Sequence, residues 1–166
     1  MREADSTTGD TGVRVAGPHA ATGGGMAAAA PPYAMKRIVK LPFAQAEASV
    51  RTALQQQGFG ILTQIDLKAT LKQKLDADIA DYTILGACNP PIAKQAVELE
   101  PDIGLLLPCN IVVRAGASAS ETIVEALDPV AQMSLSGRSA LRGFADDARA
   151  RLERALDAVA GETLHR

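Results

Sequence analysis

Apolar positions fall at helical spacing in three stretches of the chain. Phe43, Ala46, Val50, Ala53 and Leu54 form one stripe over 43–57, and Gly58 follows as a residue that accepts a left-handed backbone. Leu67, Leu71 and Leu75 recur every four residues behind Asp66, a capping residue, with Lys68, Lys72 and Lys74 on the solvated side. Ala148, Leu152, Ala155, Leu156 and Val159 make a third stripe, which Asp146 or Asp147 opens and Gly161 ends. Short strands are predicted at Arg37–Leu41, Phe59–Ile65 and Glu121–Leu127, the first and last stopped by Pro42 and Pro129. Residues 130–144 are weakly patterned, with Met133 and Leu135 as single packing anchors.

Between these elements lies the most apolar part of the chain. Thr83–Ala87 reads as a strand, and Asn89 caps a helix whose first position is Pro90. Ile92, Ala93, Ala96, Val97 and Leu99 supply its stripe, and Pro101 ends it. Leu105–Val113 is almost continuously apolar, which predicts a strand covered on both faces, with an edge or a bulge where Pro108 withholds a donor. A strand, a helix and a strand in this order predict two parallel neighbours. The first strand climbs roughly 20 Å to Cys88, and the second roughly 17 Å from Gly104 to Cys109. The two thiols should therefore lie at one level of the sheet, with Cys88, at a helix start, the more acidic.

Composition narrows the function classes. The 166 residues are 47% apolar with five aromatics and no Trp, so aliphatic side chains fill the core. Residues 1–34, rich in Gly, Ala, Thr and Pro, read as a disordered low-complexity segment before a single domain over 35–163. A net charge of −2 without a basic cluster argues against nucleic acid and anionic membranes as partners. No apolar run is long enough to span a bilayer and no secretory leader is evident, so the expected location is cytoplasmic. There two cysteines stay reduced. His19 and His165 lie at the ends of the chain, leaving the folded body no imidazole for a triad or a zinc site. An enzyme would have to work from Asp66, Asp81, Asp102 or Asp128, each already explained as a cap or turn residue, so a non-enzyme is expected.

The run Ile84-Leu85-Gly86-Ala87-Cys88-Asn89-Pro90, then Ile103-Gly104-Leu105-Leu106-Leu107-Pro108-Cys109-Asn110-Ile111-Val112-Val113, then Asp128-Pro129, resembles the domain-of-unknown-function 302 family in order and spacing. Asp66–Lys72 and Arg151–Leu156 fit it too, so the resemblance covers about 36–160. It implies a small α+β domain with about four helices on a single sheet, often a homodimer, and brings no established activity. The family's cysteine positions coincide with Cys88 and Cys109. Two thiolates suit a soft metal ion or a thiol redox pair. The leading expectation is thus a ligand-binding, soft-metal or thiol redox module built on Cys88, Asn89 and Cys109. The alternative is a non-catalytic dimeric interaction or structural protein with no small-molecule site.

Overall fold

The computed structural model describes residues 30–162. The segment read as disordered thus lies outside the described residues through position 29, as do His19 and His165. Five strands form one sheet: β1 (Ala34–Val39), β2 (Gly60–Asp66), β3 (Tyr82–Cys88), β4 (Cys109–Ala115) and β5 (Thr122–Leu127). Their order is β1-β5-β4-β3-β2, and every neighbouring pair is antiparallel. Five α-helices connect them: α1 (Phe43–Gln56), α2 (Leu67–Leu75), α3 (Pro90–Leu99), α4 (Pro129–Ser134) and α5 (Arg142–Glu162). The architecture is α+β, as expected, with one helix more than the sequence suggested. No helix among the described residues is long and apolar enough to cross a membrane.

The apolar stripes of α1 and α5 cover one face of the sheet. Ala46, Val50, Ala53 and Leu54 of α1 and Leu152, Ala155, Leu156 and Val159 of α5 meet Leu85, Ile111, Val113, Val124 and Ala126 in the main core. Each strand contributes alternate residues, because successive side chains point to opposite faces. A smaller apolar cluster of Ala96, Ile103, Met133, Leu141 and Ala145 closes the end of the sheet where α3, α4 and the start of α5 come together. The opposite face has no such cover. Its positions, among them Lys36, Glu125, Val112, Arg114 and Tyr82, are half-buried or exposed, and Gly86 alone of them is buried.

Several expectations are corrected here. β3 and β4 are antiparallel, not parallel. The reason is the segment Pro101–Leu106, a 3₁₀ turn that takes in Leu105 and Leu106, where the strand was expected to begin. The chain leaves β3 at Cys88 and re-enters at Cys109, opposite Ala87, at the end of the sheet it left. Leu105 is 88% exposed on that turn. β4 alternates buried and accessible positions, so it is covered on one face. It lies at the centre of the sheet, and Pro108 precedes it, while the register shift occurs in edge strand β2 between Ile61 and Thr63.

The weakly patterned region also resolves differently. Pro129–Ser134 is helix α4, capped by Asp128 Oδ1, which accepts from Val130 N at 2.8 Å. Met133 is buried as expected, but Leu135 is 76% exposed. α5 begins at Arg142, ahead of the aspartates expected to open it, because Leu141 and Ala145 are buried in the smaller cluster and hold the first turn in place.

Candidate functional site

Cys88 is the last residue of β3, and Cys109 is the first of β4. Ala87 pairs with Cys109 in register, so the two cysteines occupy neighbouring strands at one level of the sheet. Antiparallel pairing, and not the expected parallel pairing, sets this common level. Both line a cavity of about 30 Å³ at the seam between the two apolar clusters, with Phe59 and Ala87 on one side and Ala96, Met133 and Ala145 on the other. Both are free thiols.

Asn89 lines the same cavity, and its polar atoms are already engaged. Its Oδ1 accepts from Ile92 N at 3.3 Å, capping α3, and its Nδ2 donates to Gln57 O at 3.4 Å. That second bond ties the start of α3 to the end of α1. Gly58 allows it: its φ is +82°, and a side chain there would come within 3.0 Å of Asn89 Nδ2. Asn89 therefore sets where Cys88 leaves the sheet and offers its amide to the backbone.

Electrostatics keep both thiols protonated at neutral pH. Burial pushes Cys109 up to about 11, and the nearby Cys88 charge adds to the shift. Burial also raises Cys88, which is half-buried. The helix start does not lower Cys88, because Pro90 and Pro91 carry no N–H and Ile92 N is taken by Asn89 Oδ1, which leaves burial to raise the thiol. Among the described residues no group of three or more His, Cys, Asp and Glu gathers into a metal-ligand cluster.

Sequence reasoning missed Met133 as a neighbour of the cysteines. Met133 lines the cavity from α4, an element without a clear apolar period, so only the packing of α4 against α5 discloses it. Gln132, beside it, is buried and holds the approach to Cys109: its Nε2 donates to Leu106 O and, at 3.5 Å, to Pro108 O.

A model of the domain of unknown function DUF302 matches residues 35–159. The chain belongs to the DUF302 family. Its fold is similar to the crystal structure of an uncharacterised conserved DUF302 protein from Bacillus stearothermophilus, with a TM-score of 0.71 and 26% sequence identity. That similarity covers 77% of this chain and 98% of the other. No curated protein matches the chain. Membership in DUF302 thus accounts for the α+β sheet and brings no reaction with it.

Proposed function

We propose that this DUF302 domain holds one soft monovalent cation of the Cu(I) type between Cys88 and Cys109, with Met133 as a third sulfur. The observation that carries the reading is that all three sulfur side chains line one small cavity whose other walls are almost wholly apolar. Thiolate and thioether donors favour soft ions, whereas hard ions need carboxylates or carbonyls. The cavity is of atomic size, which suits a bare ion of low coordination number.

Binding replaces two S–H protons with the ion: two thiols and one monovalent cation give a bis-thiolate complex and release two protons. At pH 7 removing the Cys109 proton costs about 5 kcal/mol, from a pKa near 11. Because the ligands must lose their protons to bind, that cost lowers the affinity at pH 7, and binding should tighten as the pH rises. The complex carries one negative charge. Thiol–disulfide chemistry is less well supported, because an attacking thiol must be a thiolate near neutral pH and both are raised.

The test is an anaerobic titration of Cu(I) against a chromophoric Cu(I) chelator, following thiolate-to-metal absorption in the ultraviolet. The reading expects one ion per chain and release of about two protons. Cys88→Ser and Cys109→Ser should abolish binding, and Met133→Leu, which keeps the packing, should weaken it. Failure of the wild-type protein to take the ion from the chelator, or retention by both serine variants, would overturn it.

A further inference from the structure

On the open face of the sheet, apolar side chains stand where polar ones are the rule. In register across the strands run Lys36, Glu125, Val112, Ile84 and Ile65, and in the neighbouring row Ile38, Ile123, Arg114 and Tyr82. Six of these nine positions are aliphatic or aromatic, and neither hydrophobic cluster of the chain takes them in. A sheet with one face in water ordinarily alternates apolar inward and polar outward residues, so this face is built for a cover. Ile38 and Ile65 are 40% and 46% exposed.

The charged residues of these rows are held within the chain: Lys36 Nζ lies 3.8 Å and Arg114 Nε 3.0 Å from the Glu125 carboxylate. Covering the face therefore strips no lone charge of water. The chain has little of its own to lay there. Residues 1–29 hold no apolar side chain larger than alanine and proline except Met1, Val13, Val15 and Met26, and residues 163–166 only Leu164. The extent of the face also points to a large partner. Five strands at about 4.8 Å and six residues at about 3.3 Å make roughly 24 by 20 Å, about 480 Å² in plan. Side chains standing on that plane add accessible area, which brings the face to the lower end of specific interfaces, about 600 Å² per partner.

We propose that this face packs against the same face of a second copy of the chain. A sheet is the natural cover for a sheet, the two stacking about 10 Å apart. The face is also self-complementary in shape. A groove of about 470 Å³ runs past Tyr33, Glu125, Val112 and Arg114, lined from β1, β5 and β4, while the exposed Ile65 stands at the opposite edge, on β2. Because β4 is the middle strand, a copy given half a turn about an axis parallel to β4 lays its β2 over β1 and its β3 over β5. Each Ile65 then meets the other copy's groove, and the contact is the same from both sides, as closed two-fold pairing requires.

The test is sedimentation velocity of the full chain over a micromolar concentration series, which should show a reversible equilibrium between monomer and dimer. Ile65→Lys at the edge of the face and Ile84→Lys at its middle should each weaken association at least about tenfold, because a charged side chain would have to be buried under the partner sheet. Ile65 is exposed in the single chain, so its variant keeps the monomer fold, which circular dichroism checks, and it decides the matter even where Ile84→Lys does not fold. Leu105→Lys, on the 3₁₀ turn outside the sheet and more exposed than either isoleucine, should leave the dimer unchanged. A wild-type chain that stays monomeric throughout the series, a dimer that Ile65→Lys leaves intact, or a dimer that Leu105→Lys dissociates would each overturn the proposal.

Discussion

Gly86 sits in the interior of β3, opposite Asn110 of β4, and is the one buried position on the open face of the sheet. A Cβ built on it would lie 2.1 Å from Thr63 Oγ1 and 2.7 Å from Pro108 Cγ, both well inside contact distance. The substitution Gly86→Ala therefore meets two obstacles of different stiffness. Thr63 lies on edge strand β2, is exposed, and can turn its hydroxyl away. Pro108 cannot: its ring is rigid, and its carbonyl lies against the buried Gln132 amide. In a strand, Ala in place of Gly would ordinarily gain roughly 0.5–1 kcal/mol from a less flexible unfolded chain. Overpacking costs typically 1–3 kcal/mol, and the contact with Pro108 puts Gly86→Ala toward the upper end, for a net loss of about 2 kcal/mol. For a domain of this size that lowers the melting temperature by roughly 5–10 °C. Urea unfolding of the wild type, Gly86→Ala, Thr63→Ala and the double variant measures it directly. Thr63→Ala alone should change stability by less than about 0.5 kcal/mol, and the double variant should recover only part of the loss. A Gly86→Ala protein as stable as the wild type, or full recovery in the double variant, would refute the assignment of Pro108 as the rigid neighbour.

Other consequences are equally specific. Cys109 has a folded pKa raised from 9.0 to about 11, so its contribution to stability is complete below pH 9 and disappears as pH rises through 11. The loss amounts to about 2–3 kcal/mol, and metal-free Cys109→Ala should show a correspondingly flatter fall in melting temperature over that window. Thr122 is fully buried and donates its hydroxyl to Leu41 O at 2.8 Å; Thr122→Val should cost about 1–3 kcal/mol in urea unfolding by leaving that carbonyl unpaired. Asn89→Ala removes both the α3 cap and the tie to Gln57 O, and should destabilise by about 1–2 kcal/mol while exposing the amide of Ile92 to faster hydrogen exchange. Leu152→Ala, in the middle of the main core, should cost about 2–5 kcal/mol in the same unfolding assay.

What the sequence determined by itself were the elements with strong local causes. The stripe of α1 from Ala46 to Leu54, the cap at Asp66, and the Asn89-Pro90 start of α3 are all found where short-range spacing and capping chemistry place them. These depend on neighbours three or four residues away, so no tertiary information is needed. The pairing of β3 with β4 is different. Whether two strands run parallel or antiparallel depends on where the connection ends, and that was decided by Pro101–Leu106 folding into a returning turn. Asp102-Ile103-Gly104 is legible as a turn, but Leu105 and Leu106 are as apolar as Ile111 and Val113 and so read as strand, and only their place outside the sheet leaves Leu105 in solvent. The shared level of Cys88 and Cys109 comes from the antiparallel pairing of β3 and β4 and not from the parallel climb that chain lengths suggested, and Met133 lines their cavity only because α4 packs on the start of α5. Likewise the groove on the open face joins Tyr33, Arg114 and Glu125, residues far apart in the chain, which the strand order and register alone bring together.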